Sequence, residues 1–248
     1  MKNLKLIFAT GNAGKLREAR EILGPHGIEV VSPYEIGLTK EQVDVEEVGT
    51  SFEENAVIKV QNIWRLTGLP CFADDSGLVV DALGGAPGIY SARYASQDGS
   101  GEDHNFASNI DRLLHELLGV TDRRARFVCV AALILPQQLD PLRSISSARA
   151  VYHSGAGDQA AAEHSSLSGW PVPATGCPVP EIFEGRCEGR IAFERAGCGG
   201  FGYDPVFIPD AYPDRTLAEV DEAAKNAISH RGNALAAMVR HLLCNSTS

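Results

Sequence analysis

Along this chain the apolar positions recur alternately every second residue and every three to four, the pattern of strands interleaved with helices. Leu4 to Ala9 reads as a strand that runs into a tight Thr10-Gly11-Asn12 turn, and the spacing predicts a helix from about Gly14 to Leu23. Gly24-Pro25 stops that helix, and Ile28 to Val31 suits a second strand. After an acidic stretch (Glu41, Asp44, Glu46, Glu47), Thr50 and Ser51 each have a glutamate three residues on, the capping-box signature. Ala56, Val57, Val60, Ile63 and Trp64 then lie at helical spacing, with Gly68 where a left-handed terminal residue belongs.

Pro70 to Ala73 is a short apolar run ending in Asp74-Asp75-Ser76-Gly77, and Leu78 to Leu83 reads as a separate strand beyond it. An amphipathic helix follows from Asp103 to Leu118, then a buried strand from Phe127 to Leu135. Residues of about 140 to 180 are dense in Ser, Ala, Gly and Pro without a sustained period, which predicts an inserted loop with at most one strand, Ala148 to His153. Phe183 to Phe193 reads as strand–turn–strand about Gly189, and Val206 to Ile208 as a short strand. Two helices, about Leu217 to Ala227 and Asn233 to Leu243, are separated by Ser229-His230-Arg231-Gly232. The expected fold class is α/β in a single domain over 1–248.

Composition narrows the classes. The 248 residues are 44% hydrophobic and 22% charged, ordinary for a globular chain with a proper core. The longest apolar run is too short to cross a bilayer, and the opening residues carry no readable signal peptide. A net charge of −10 argues against a large nucleic-acid surface but leaves room for one small anion gripped by a few cations. Six cysteines without a CxxC pair point to reduced thiols and a cytoplasmic setting.

Three familiar patterns fail on context. Gly197-x-Gly199-x-x-Gly202 matches a dinucleotide fingerprint, but Tyr203-Asp204-Pro205 follows and no helix opens there. Gly14-Lys15 lacks the first glycine and the Ser or Thr of a P-loop, and His115-Glu116 meets Gly119 before a zinc-protease helix is complete.

Four segments keep chemical interest. Thr10 to Lys15 feeds a strand through a glycine turn into a helix, gathering N–H donors, a hydroxyl, an amide and an ammonium where phosphate oxygens bind. Asp74 and Asp75 follow an apolar run at an expected strand end and, being adjacent, point to opposite faces. One of them can hold a metal while the other orients a water or a cation, with Glu46 or Glu47 a further oxygen ligand. Ser229 to Gly232 offers a histidine and a guanidinium at a helix start. Phe201 to Pro205 offers an aromatic and an acid on a thinly covered loop, the elements of a nucleobase pocket.

In order along the chain, TGNAGK (Thr10–Lys15), GTSFEENA (Gly49–Ala56), ADDSG (Ala73–Gly77), GGAPGIYSARY (Gly84–Tyr94), GGFGYDPVF (Gly199–Phe207) and ISHRGNAL (Ile228–Leu235) resemble the inosine/xanthosine triphosphate pyrophosphatase family. The resemblance implies an elongated mixed sheet with flanking helices forming two lobes around a nucleotide cleft, usually in a homodimer. It implies magnesium-dependent hydrolysis of ITP, dITP or XTP to the monophosphate and pyrophosphate. By position, Thr10, Gly11, Asn12, Ala13, Gly14 and Lys15 would hold the triphosphate, Asp75 would be base and metal ligand, and Glu47 the second metal ligand. Ser76, Phe201, Gly202, Tyr203, Asp204, Lys225, His230 and Arg231 would contact the rest of the substrate. The segment around 140–180 departs from the family pattern. A Maf-like pyrophosphatase acting on other bases, and a catalytically silent nucleotide-binding module, are the competing expectations.

Overall fold

The computed structural model describes residues 4–96, 105–136 and 177–245. Six strands form one mixed sheet in the order β2-β1-β3-β4-β5-β6. Strand β1 (Leu4–Phe8) pairs in parallel with β2 (Ile28–Val31) and β3 (Cys71–Val80). From β3 onward the ladder is antiparallel, through β4 (Arg124–Ile134), β5 (Glu181–Ile191) and β6 (Phe207–Pro209). The helices are α1 (Ala13–Leu23), α2 (Lys40–Val43), α3 (Phe52–Thr67), α4 (Phe106–Glu116), α5 (Glu222–Ile228) and α6 (His230–Asn245). Among the described residues, no helix is long and apolar enough to cross a membrane.

Period-two alternation assigns each strand face its own core. Ile7, Cys71, Ala73, Val130 and Ala132 turn toward α3, where they bury Ala56, Val60, Ile63 and Trp64. Leu6, Phe8, Phe72, Cys129 and Ala131 turn the other way, onto Ala19 and Leu23 of α1 and Leu235 and Met238 of α6. The far ends of β3, β4 and β5 leave this sandwich and build a third cluster with α4, in which Leu78, Phe127 and Ile191 pack on Leu113, Tyr203 and Phe207. The long strands thus run through two lobes, and the cleft lies where one cluster gives way to the next.

Local signals behave as their chemistry requires at α3. The Ser51 hydroxyl accepts from the Glu54 N–H, the Glu54 carboxylate takes the Thr50 N–H, and Gly68 closes the helix at φ 62°. Elsewhere the structure corrects the sequence reading. Asp74-Asp75 is not a strand end. The strand runs unbroken through it, Asp74 opposite Ala131 and Asp75 opposite Val130, and only at Asp81–Leu83 does a 3₁₀ turn follow. Nor does β5 turn at Gly189. Glycine is needed there because a Cβ would lie 2.2 Å from the Ile208 carbonyl oxygen of β6.

The expected Leu217–Ala227 helix divides into a 3₁₀ turn at Leu217–Glu219 and α5. The final helix starts earlier than its apolar period, at His230, because the Ser229 hydroxyl accepts from the Gly232 N–H at 2.8 Å. The proposed strand at Ala148 to His153 and most of the 140–180 segment lie outside the described residues. All six cysteines are free thiols.

Candidate active site

The cleft between the lobes has a volume of about 210 Å³. Its walls bring together Asn12 and Lys15 from the head of α1, Asp75 and Ser76 from β3, and Lys225, His230 and Arg231 from α5 and α6. Glu47, Phe201, Gly202, Tyr203 and Asp204 reach the same space from loops. Thr10, Gly11, Ala13 and Gly14 do not line it. They form the turn behind, where the Thr10 hydroxyl accepts from the Asn12 N–H at 3.1 Å. Asn12 caps α1 by accepting from the N–H groups of Gly14 and Lys15 at 2.8 and 3.1 Å, so its carbonyl oxygen is committed to the helix.

The two aspartates divide as strand alternation demands. Asp74 faces α1 and α6, accepting from Lys15 Nζ at 3.0 Å and from Arg231 Nε at 3.0 Å. Burial opposes its ionisation, but Lys15, Arg231 and Lys59 outweigh that cost and hold its carboxyl well below the usual range. Arg231 is 1% exposed and also grips Glu18 and the Ser76 hydroxyl, the latter at 3.2 Å.

Asp75 faces α3 and the cleft. Its Oδ1 lies 2.8 Å from Lys59 Nζ and its Oδ2 3.4 Å from the Asn55 amide. Burial pushes this carboxyl upward, with Lys59 and Lys15 pulling against it. Lys59 Nζ also meets Glu47 Oε1 at 3.3 Å, so one ammonium spans both acids. Asn55 ties the Glu47 loop down by accepting from the Gly49 N–H at 2.9 Å. Two carboxylates converging on one cation present hard oxygen donors to a single point. That set fits magnesium, which completes its shell with waters and phosphate oxygens. Among the described residues, no group of three or more His, Cys, Asp or Glu is arranged as an all-protein cage.

At the other end the Phe201 ring is 49% exposed, with Lys225 Nζ 5.0 Å from its centroid. Asp204 is turned inward, accepting from the Phe201 N–H at 2.8 Å and from Lys225 Nζ at 2.5 Å. Its carboxyl is raised by burial against the pull of Lys225. Tyr203 is buried and donates to the Ser91 carbonyl at 2.9 Å. Gly202 holds φ 63° above the Phe106 ring. The His230 ring stacks on Phe127 with centroids 4.9 Å apart, and desolvation followed by the Arg231 charge pushes its pKa well below the usual value, so it is neutral at pH 7.

Sequence reasoning missed Lys59, Asn55 and Glu18. The first two had a readable signal, a polar i, i+4 pair on the α3 face turned toward β3. Glu18 follows Lys15 by one helical turn, and its tie to Arg231 is visible only after folding.

Fold and cleft together define an α/β protein whose groove pairs acids that suit a hard cation with clustered cations that suit a polyanion, ending in an exposed aromatic ring. Comparison with known proteins makes the class specific. The Ham1 family profile matches residues 6–147 and 158–241. The dITP/XTP pyrophosphatase of Salmonella paratyphi A is 41% identical over 233 residues, covering 93% of this chain and 94% of that protein. The dITP/XTP pyrophosphatase of Yersinia pestis is 40% identical over 237 residues, covering 95% and 96%. Among solved structures, a HAM1 protein from Coxiella burnetii superposes with a TM-score of 0.70 at 35% identity, covering 97% of this chain and 99% of that one. The Ham1 protein of Staphylococcus aureus gives 0.70 at 32% identity with the same coverage. The chain belongs to the Ham1 family.

Proposed function

We propose that this protein hydrolyses non-standard purine nucleoside triphosphates, dITP, ITP and XTP, to the monophosphate and pyrophosphate. The observation that carries the reading is that Asp75 and Lys15 open into one cleft, with Lys59 and Glu47 at the acidic side and Phe201 beyond. The names borne by its Ham1 relatives, dITP/XTP pyrophosphatase, agree with it.

In this reading Lys15, Lys59, Lys225 and Arg231 offset the acids of the cleft, so a polyanion does not meet there the net charge of −10 that the whole chain carries. Magnesium held by Glu47 and Asp75 would add Lewis-acid neutralisation of phosphate oxygens. The Asp75 carboxylate, held by Lys59 and Asn55, accepts the proton of the attacking water. The water oxygen bonds to the α-phosphorus, and the α–β bridging oxygen departs with pyrophosphate. Phe201 stacks on the purine, and a cationic or N–H donor aimed at its 6-oxo group fixes the base. Adenine presents an amino donor at that position and leaves that donor unpaired, a mismatch that costs about four to five orders of magnitude in specificity.

A substrate panel of ITP, dITP, XTP, ATP, GTP and dUTP with magnesium, following pyrophosphate against orthophosphate, tests the proposal. Release of orthophosphate, or preference for ATP or dUTP, defeats it. Homodimerisation, which rests on the family resemblance, and a cytoplasmic setting, which rests on cysteines read as reduced thiols, belong to the same reading. Sedimentation at micromolar concentration reads the first.

A further inference from the structure

The cations that line the cleft are neutralised within it, with one exception. Lys15 and Arg231 sit on Asp74, Lys59 on Asp75 and Glu47, and Lys225 on Asp204. Arg93 also lines the cleft, yet among the described residues its guanidinium makes no ion pair. Its contact is with the Tyr90 ring, 5.5 Å from the centroid. A bare guanidinium on the wall of an anion-binding groove has its forked donors available for phosphate oxygens.

The backbone that carries it is fixed. Arg93 interrupts the 3₁₀ segment Gly88–Ser96 with φ −129° and ψ 29°. On either side that segment is clamped. The Ser91 hydroxyl takes the Leu78 N–H at 2.9 Å, Tyr203 donates to the Ser91 carbonyl, and the Asn109 amide donates to the Ala92 carbonyl at 3.1 Å. Gly77, two residues past Asp75, lets the segment press onto β3, since a Cβ there would lie 2.4 Å from the Gly88 carbonyl oxygen.

Position along the cleft follows from what Arg93 shares. A second, larger cavity of about 920 Å³ adjoins the first, and the residues lining both are Glu47, Ile89 and Arg93. Arg93 therefore lines the boundary between the cavities together with Glu47, whereas Phe201 lines the first cavity alone. We propose that Arg93 binds the outer two phosphates and holds the departing pyrophosphate, with the second cavity as its way out. The inference rests on the proposed hydrolysis. As the water oxygen bonds to the α-phosphorus and the α–β bridging bond breaks, the electron pair leaves on the pyrophosphate oxygen, where a guanidinium stabilises it.

The test is product inhibition of ITP hydrolysis by inorganic pyrophosphate and by IMP, in the wild type and in Arg93→Ala and Arg93→Lys. The expected result is a pyrophosphate inhibition constant at least about tenfold weaker in Arg93→Ala, with partial recovery in Arg93→Lys and an IMP constant within about twofold of wild type. An unchanged pyrophosphate constant in both variants overturns the assignment. So does equal weakening toward IMP, which means that Arg93 merely shapes the cleft. Should the wild type not hydrolyse ITP, the proposed function falls on its own. Calorimetric titration of magnesium pyrophosphate into wild type and Arg93→Ala then decides the residue: weaker binding to the variant supports the assignment and equal binding overturns it.

Discussion

Arg231 and Asp74 form an ion pair from which water is shut out, Nε 3.0 Å from Oδ2 with side chains 2% and 1% exposed. The pair joins the first turn of α6 to the middle of β3, and Glu18, Ser76 and Lys15 complete its hydrogen bonds. It is the fixed point from which Lys15 and Arg231 are hung.

Breaking that pair leaves a buried charge without its partner. Asp74→Asn is expected to lower stability by about 3–5 kcal/mol, read as a shift of the urea midpoint at constant slope. Surface pairs such as Arg17–Glu222, with side chains 66% and 65% exposed, serve as controls and should move it by less than about 1 kcal/mol. Equal shifts for the two sites contradict the anchoring role.

Asp75→Asn keeps the shape of the carboxylate but cannot accept a proton. Turnover is expected to drop by at least about 10²-fold, while the thermal midpoint moves much less than for Asp74→Asn. Lys15→Ala is expected to raise KM chiefly, and steady-state kinetics on ITP separates the two effects. Full activity of Asp75→Asn would show that the base has been misassigned.

Phe201 carries no core. Because its ring is 49% exposed, Phe201→Ala should change stability by no more than about 0.5 kcal/mol. Loss of stacking on the base is worth about 1–3 kcal/mol, which predicts KM for ITP up by about fivefold or more. A variant with wild-type KM removes Phe201 from the base pocket.

The neutral imidazole of His230 gives stability a pH dependence of definite sign. In the folded chain desolvation, with Arg231, Lys15 and Lys225 adding repulsion and Asp74 opposing, keeps the ring unprotonated far below its usual pKa. Below about pH 6.5 the unfolded chain takes up a proton that the folded chain refuses, so stability is full above that pH and falls as acid is added, by up to about 1.4 kcal/mol per pH unit. Asp74 adds its own loss only below about pH 4. Unfolding of wild type and His230→Asn between pH 7 and 5 reads the difference in slope. Parallel curves would mean that the ring titrates normally.

Chelation of divalent ions should abolish turnover without unfolding the site. Lys59 already bridges Asp75 at 2.8 Å and Glu47 at 3.3 Å, so the two carboxylates are compensated before any metal arrives. EDTA is therefore expected to leave the thermal midpoint of the wild type nearly unchanged. In Lys59→Met the same treatment should lower it, because the uncompensated acids then repel. A large EDTA shift in the wild type contradicts this.

Much of the scaffold was legible because its signals are local. The Ser51 cap, the Gly68 terminus and the alternation of Leu6, Ile7 and Phe8 each act within a few residues. The errors arose where distant residues decide. Acid pairs ordinarily mark a turn, and β3 continues through Asp74-Asp75 because Lys15, Lys59 and Arg231 arrive from three different helices to neutralise them. Gly189 likewise reads as a turn until β6 is laid against it. In the site, Asp75 and Lys15 stood out by motif, whereas Glu18 and Arg93 acquire meaning only from what folding sets beside them, or fails to.

The unbroken course of β3 also constrains how this family of sequences can change length. Phe72, Asp74 and Ser76 share one side of the strand and Cys71, Ala73, Asp75 and Gly77 the other, in step with β4 from Ile134 to Ala125. Removing a single residue from the Gly68–Pro70 connection, with the ladder re-formed one place along, would carry Asp75 into the place of Asp74, locked against Arg231, and Asp74 into the place of Ala73, in the apolar core beneath α3. At this spot a one-codon deletion is a change of chemistry, not of loop length.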